Sequence, residues 1–354
     1  MRIAVVGGGI NGVMCAASLG NAGHDVVLLE RSTLMSATSS ASTKLLHGGL
    51  RYLEHGSFRL VREALHERRW WLDQAPQFCH PLQLLLPVWR GQGRSRHLIR
   101  AGLWMYDLLA GSARLQPHRW LDRSEALAVL PGLRADGLVG AFSFWDGQMD
   151  DLALGLWAAE RARSLGVSIH EHTSVDRVTT DGVLEGPGLH ERYDRIVNCA
   201  GPWAEDLLRR SGLTPRHTLD LVRGSHLVVD RPLGTGVLAQ VPGGSRIAFV
   251  LPWKGKSLVG TTEIRQGLGD PITCSDDERS YLRQFHDSVM EQSLREEEVA
   301  STFAGVRPLI RSSEDPGRAT REYALERHGA LLTVFGGKWT TARALGELVA
   351  SRVD

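Results

Sequence analysis

Three short stretches of this sequence carry residue types that could do chemistry. The first is Lys44-Leu-Leu-His-Gly-Gly-Leu-Arg-Tyr-Leu-Glu54, which sets two cations, a histidine and a phenol around a glycine pair. The second is Gly7-Gly8-Gly9-Ile10-Asn11-Gly12, which fits G-x-G-x-x-G. The third, Phe335-Gly-Gly-Lys-Trp-Thr-Thr341, is another glycine turn with a cation, close to the end of the chain. In the G-x-G-x-x-G pattern Gly7 permits a tight turn, Gly9 lets a pyrophosphate approach the backbone, and Gly12 allows close helix packing. A helix starting there directs its amide donors at the phosphates. Glu30, eighteen positions after Gly12, ends the next strand, where a carboxylate accepts hydrogen bonds from ribose hydroxyls.

The fingerprint alone does not separate a flavin from a nicotinamide dinucleotide. The second glycine turn does so better. A helix beginning near Thr340 aims its positive end at a neighbouring negative group, such as the flavin pyrimidine oxygen, which gains charge on reduction. Gly337, Lys338 and Thr340 therefore join Gly7, Gly9, Asn11, Gly12 and Glu30 as cofactor-binding residues. A nucleotide unit assembled from both ends of a chain, with cations beside each glycine pair, points to a flavin next to an anion pocket.

The elements that must position these groups are legible in outline. Ile3–Val6, a helix from Ile10 to Asn21 closed by Gly23, and Asp25–Glu30 form a β-α-β unit. An amphipathic helix is predicted from Ser57 to Leu72, and residues 76–140 read as irregular. Another helix runs from a cap at Asp150 or Asp151 to Leu165. Strands are expected at Val167–His172, Ser174–Thr179, Arg195–Cys199, Leu221–Val229, Arg246–Leu251, Ser257–Thr262 and Leu331–Phe335, and helices at Asp276–Ser293 and Thr340–Val353.

Composition narrows the function. The 354 residues are 42% hydrophobic and 23% charged with a net charge of +1, enough for two domains and without a bulk drive toward nucleic acid. Cys15, Cys79, Cys199 and Cys274 show neither Cys-x-x-Cys nor Cys/His metal spacing, so buried free thiols are expected and no metal. No export segment or membrane span is expected. Basic residues at Arg90, Arg94, Arg96 and Arg100 precede Leu103, Trp104, Met105, Tyr106, Leu108 and Leu109; this fits either a helix lying on anionic lipid or a loop leading into a core helix.

The stretch Ala37–His55 closely resembles the flavin-dependent glycerol-3-phosphate dehydrogenases. So do Asp150-Asp151, Asn198-Cys-Ala-Gly-Pro-Trp203, Arg223-Gly-Ser-His226, Val250-Leu-Pro-Trp253, Gly260-Thr-Thr262, Gly305-Val-Arg-Pro-Leu309 and Gly336-Gly-Lys-Trp-Thr-Thr341. The resemblance implies an α/β fold: a Rossmann-like FAD-binding domain of glutathione-reductase type with an antiparallel-sheet substrate domain of D-amino-acid-oxidase type. The expected division is 1–75, 145–210 and 301–354 for FAD, and 76–144 and 211–300 for substrate. It implies non-covalent FAD, glycerol 3-phosphate as substrate, and quinone or another electron acceptor. It also implies a cytoplasmic protein in peripheral contact with the inner face of the membrane.

By position, the resemblance implies that Ser39, Ser40, Ser42, Thr43, Leu46, His47 and Gly48 wrap the flavin, Val175 flanks the adenine, and Ala200 and Gly201 close over the dinucleotide. A dianionic phosphate needs fixed cations, and Arg51, Arg307 and Lys338 fall inside these motifs. Tyr52 is a hydrogen-bond donor to substrate or flavin. Oxidising a secondary alcohol requires a base for the hydroxyl proton. His226 is chosen, with His47 as the alternative and Arg307 stabilising charge on the oxygen. Three departures stand out. Relatives carry a helical domain after the second glycine turn, whereas this sequence ends sixteen residues beyond Lys338; the segment from Asp181 to Tyr193 reads as a shortened hairpin; and Trp339 stands where a smaller aliphatic is expected. An amine or amino-acid oxidase of the same fold, or a flavoprotein without turnover, are the competing readings.

Overall fold

The computed structural model describes residues 1–244, 246–311 and 323–353. Its first half runs β1 (Arg2–Val6), α1 (Ile10–Asn21), β2 (Asp25–Leu29), β3 (Leu45–Leu46), α2 (Phe58–Gln74), β4 (Cys79–Trp89), α3 (Arg96–Ala110), β5 (Arg119–Asp122), α4 (Arg123–Val129) and β6 (Leu138–Met149). Then come α5 (Asp151–Ser164), β7 (Ser168–His170), β8 (Arg177–Val178), β9 (Val183–Gly186), β10 (Leu189–Arg192), β11 (Arg195–Asn198) and α6 (Ala204–Arg210). The last part is β12 (Leu219–Val229), β13 (Gly236–Gln240), β14 (Ile247–Trp253), β15 (Lys256–Gly260), β16 (Ile264–Arg265), α7 (Asp276–Val289), β17 (Val299–Ile310), β18 (Tyr323–His328), β19 (Leu331–Gly336) and α8 (Ala342–Ala350).

Two large sheets organise the chain. A six-stranded sheet has the order β18-β19-β11-β1-β2-β7. Its strands are parallel except for β18, which pairs antiparallel with β19. Strands buried on both faces read as continuous apolar runs, as in Ile3–Val6 of β1, because helices cover the sheet. Val5, Val13, Leu28, Leu154, Val197, Leu345 and Val349 share one apolar cluster that joins β1, β2 and β11 to α1, α5 and α8. The C-terminal β19 lies beside β11, which lies beside β1, so the two ends of the chain meet within one sheet.

The second sheet has ten strands. Eight follow the order β16-β12-β15-β14-β13-β4-β6-β3, with β17 paired to β12 and β5 to β6. Its longest ladders are antiparallel: β4 with β6, and β12 with β17. The helices α4 and α7 pack on it through Ala126, Leu282, Phe285 and Val289, which share a cluster with Leu227, Val237 and Val259. A small sheet, β10-β9-β8, holds the short hairpin between Asp181 and Tyr193.

Several elements differ from the sequence reading. Residues 76–140 contain the eleven-residue β4 and helices α3 and α4; frequent Pro, Gly and Arg hide the period there, and pairing with β6 and β13 makes the strand. The expected strand at Ser174–Thr179 shrinks to Arg177–Val178. Helix α7 stops at Val289 because Met290 turns to extended backbone and bridges Leu133. The strand β17 was not foreseen, since Gly305 and Pro308 interrupt its pattern, yet it carries Arg307. The ten-stranded sheet takes in β3 and β17, which the expected division gave to the FAD part; residues 312–322 and 354 of its last segment lie outside the described residues.

Candidate active site

A cavity of about 610 Å³ runs between the two large sheets, from Gly7 and Glu30 to His226 and Arg307. The glycine fingerprint forms one wall. Gly7 has φ +108°, a left-handed value that suits glycine. A Cβ on Gly12 would fall 1.9 Å from the Gly7 carbonyl oxygen, so only glycine lets α1 start this close to β1. Gly9 provides no side-chain cap for α1, and the Ile10 amide donates to the Ser39 hydroxyl at 2.9 Å. Glu30 accepts from the Gly8 and Ser32 amides at 2.6 and 2.9 Å. Asn11 donates its side-chain amide to the Gly336 carbonyl, while its buried oxygen has no hydrogen-bond partner. A glycine cradle at a helix start, a carboxylate at the next strand end and an orphaned amide oxygen in one cavity fit a dinucleotide.

The second glycine turn closes on the first. Trp339 donates its indole N–H to the Ser39 carbonyl at 3.0 Å and packs on Trp71 with ring centroids 5.1 Å apart. Rather than simply occupying space, Trp339 ties α8 to the loop after β2. Thr340 accepts from the His47 amide at 3.3 Å and takes the Trp71 indole N–H on its carbonyl at 3.0 Å. Gly9, Ser39, Ser42, Thr43, His47, Val175, Ala200, Gly201, Gly337, Lys338 and Thr340 all line the cavity.

Five of the expected residues lie off its wall. Gly12 acts behind it, through packing. The Ser40 carbonyl accepts from the Lys44 ammonium at 2.7 Å. Leu46 is fully buried in β3, paired with Gly147. The Gly48 amide donates to the Tyr106 hydroxyl at 2.8 Å. Arg51 lines a second cavity of about 460 Å³, which shares Thr43, Leu45, His47 and Tyr52 with the first and has mostly apolar walls under α3.

The remaining expected groups come together from four segments. The Lys338 ammonium sits 3.8 Å from the centre of the Tyr52 ring. Arg307 donates to the Thr261 hydroxyl at 2.9 Å and lies 3.7 Å from the Glu263 carboxylate. A Cβ on Gly224 would meet the Arg307 guanidinium at 2.2 Å, so the glycine two residues before His226 makes room for it. His226 is 1% exposed, stacks on Phe303 at 4.6 Å, and has no hydrogen-bond partner on either ring nitrogen. Burial, followed by the nearby Arg307 and Lys44 charges, holds its imidazole well below the usual pKa. It is neutral at working pH, with a nitrogen ready to accept a proton.

Sequence reasoning missed the residues behind these. Lys44 and Asp151 form a buried ion pair at 2.6 Å, and Asp151 also accepts from the Ser42 amide and hydroxyl. Both stand inside the motifs quoted above, but nothing in their spacing revealed that they meet. Arg68 and Asp146 pair at 2.7 Å, and Asp146 accepts from the Tyr106 hydroxyl at 2.9 Å. Burial raises the Asp146 and Tyr106 pKa values. Glu263, which also pairs with Arg246 at 3.3 Å, gave no sequence signal.

Comparison with known proteins agrees with this geometry. The family described as FAD dependent oxidoreductase matches residues 2–352. A glycerol-3-phosphate dehydrogenase of Pseudomonas aeruginosa is 38% identical over 99% of this chain and 71% of its own length. A D-erythritol 1-phosphate dehydrogenase of Brucella abortus is 38% identical over 97% of this chain and 71% of its own. The structure of the glycerol-3-phosphate dehydrogenase from Bacillus halodurans complexed with FAD superposes with a TM-score of 0.78 at 25% identity. That match covers all of this chain and 64% of that one.

Proposed function

Because this chain belongs to the FAD dependent oxidoreductase family, we propose that it oxidises sn-glycerol 3-phosphate to dihydroxyacetone phosphate. The observation that carries this reading is a neutral, orphaned histidine in one cavity with Arg307, Lys338 and Tyr52, across from a dinucleotide cradle. The Gly7–Gly12 turn, Glu30, the Ser39–Thr43 loop and the Gly337–Thr340 turn would hold the FAD. When bound, it supplies the acceptor for the hydride that leaves the substrate carbon.

The protein's own groups do the rest. Arg307 and Lys338 hold the phosphate dianion, while Arg51 lines the neighbouring second cavity. His226 takes the hydroxyl proton on a ring nitrogen as the carbonyl forms. Arg307, fixed by Thr261 and Glu263, stabilises charge developing on that oxygen. An amino-acid oxidase needs one carboxylate-binding arginine, and the additional cations argue for a phosphate instead. The equally similar erythritol phosphate enzyme favours a second reading on the same machinery, a four-carbon polyol phosphate.

The electron acceptor proposed is a quinone, supported by the apolar second cavity that shares His47 and Tyr52 with the first. Peripheral contact with anionic lipid is supported by α3, where Leu98, Trp104 and Leu108 are 54%, 58% and 59% exposed near the exposed Arg90 and Arg100. Among the described residues no helix is long and apolar enough to cross a membrane.

The test is anaerobic. The visible spectrum of the flavin-loaded protein is recorded, and glycerol 3-phosphate or erythritol 1-phosphate is added. Bleaching by a polyol phosphate supports the reading. Bleaching by amino acids alone, or by nothing, overturns it. Co-flotation with anionic liposomes at low salt tests the lipid contact, and protein that stays behind in that gradient removes it.

A further inference from the structure

The Lys44 ammonium is in an unusual place. Its side chain is 8% exposed and that of its partner Asp151 is 1% exposed. Its backbone has φ +60°, a left-handed value that a lysine rarely adopts. A buried ion pair is weak evidence for stability, because desolvation offsets much of the attraction. Strain and desolvation together at one residue suggest work other than holding the fold.

The surroundings show what that work is. The ammonium donates to the Ser40 carbonyl and to Asp151, and lies 4.9 Å from the centre of the Phe303 ring. Phe303 is the cross-strand partner of His226 and stacks on it nearly parallel, at 13°. On its other sides the imidazole meets Phe249 and the backbone of Gly260, which bring no charge. The charged groups that act on it are Arg307 and Lys44, and each is paired with a carboxylate, Glu263 and Asp151 respectively.

We propose that Lys44, Asp151 and Phe303 are positioning residues for the His226 base: Phe303 fixes the plane of the imidazole, and the Lys44 cation beside Phe303 disfavours the protonated ring, so that the base is neutral when substrate arrives. The proposal rests on His226 being the base. Lys44 also ties the base to the flavin loop, since the same ammonium binds Ser40 and Asp151 binds Ser42. One buried cation would thus register the catalytic sheet against the cofactor cradle.

The experiment uses the flavin-loaded protein and two readouts. The first is the pH dependence of single-turnover flavin bleaching by glycerol 3-phosphate. The second is the NMR titration of His226, assigned by its loss in His226→Asn. Lys44→Met is expected to raise the His226 pKa and the acid limb of the rate by about one pH unit, the size of effect expected from a unit charge several ångströms away at an effective dielectric near 20. Asp151→Asn, which leaves the lysine uncompensated, is expected to move both downward, and Lys44→Arg to leave them near wild type. Phe303→Leu is expected to slow bleaching with a smaller shift. Equal slowing by Lys44→Met and Asp151→Asn at every pH, with no movement of the His226 resonance, would reduce the pair to scaffolding and overturn the inference. If His226→Asn bleaches at the wild-type rate, the base reading fails separately, while the NMR shift still tests what Lys44 does to the ring.

Discussion

Arg307→Ala is the substitution whose cost can be worked most directly from the site. The side chain donates to the Thr261 hydroxyl at 2.9 Å and makes a long ion contact of 3.7 Å with Glu263. Its removal leaves Glu263 still paired with Arg246 at 3.3 Å, so the loss of stability should be near 1 kcal/mol. The catalytic loss should be much larger. Removing one donor that faces developing oxyanion charge costs about 10²–10³ in rate, or ~3–4 kcal/mol. The glycine cradle is held by bonds of Gly8 to Glu30, Ile10 to Ser39 and Asn11 to Gly336. The variant should therefore purify yellow, with an unchanged flavin content and a slightly lowered melting temperature, and bleach with glycerol 3-phosphate a hundred-fold or more slowly under anaerobic stopped flow. Arg307→Lys keeps the charge and loses the fork, so it should recover only part of the rate. An Arg307→Ala protein that bleaches as fast as wild type would refute the placing of phosphate or carbonyl against this guanidinium. A colourless one would show that the residue acts on the fold or on FAD instead.

Three further outcomes follow from the packing. Gly12→Ala should abolish FAD binding, because its Cβ would overlap the Gly7 carbonyl at 1.9 Å with no flexible atom able to move; equilibrium dialysis with FAD checks this, and retained binding would contradict the cradle geometry. Arg68→Met should destabilise the protein by about 3–5 kcal/mol, since it strands the buried Asp146 carboxylate without its 2.7 Å partner; denaturant unfolding measures it, and a change under 1 kcal/mol would be inconsistent with a charged Asp146. Glu298 binds Arg231 and Arg295, and the Arg231 contact leads in pulling its pKa down to about 2. Its folded value lies below the unfolded one, so its stabilisation is present above about pH 4.5 and is lost as pH falls toward 2. Glu298→Gln should accordingly flatten the acid limb of the melting temperature between those values, and an unaltered limb would assign acid sensitivity elsewhere.

What was written locally in the chain was readable from it. The β1-α1-β2 unit depends on a glycine spacing and a helical period that involve neighbours only a few residues apart, and α1 spans the residues the pattern predicts. The two glycine turns stood out because a phosphate brought against backbone restricts the residues that can serve, and His226 and the cations were singled out through the motifs that carry the resemblance. Tertiary structure decided what those groups touch. Strand β17 exists because β12 pairs with it across a gap of some eighty residues, overriding Gly305 and Pro308, and that pairing sets Phe303 against His226. Lys44 meets Asp151, and Arg68 meets Asp146, over comparable separations. No period or spacing encodes such meetings, because they arise from the way two sheets are brought face to face. The chain thus states which chemistry is available to it, and the packing of the two sheets determines the protonation and orientation with which that chemistry is carried out.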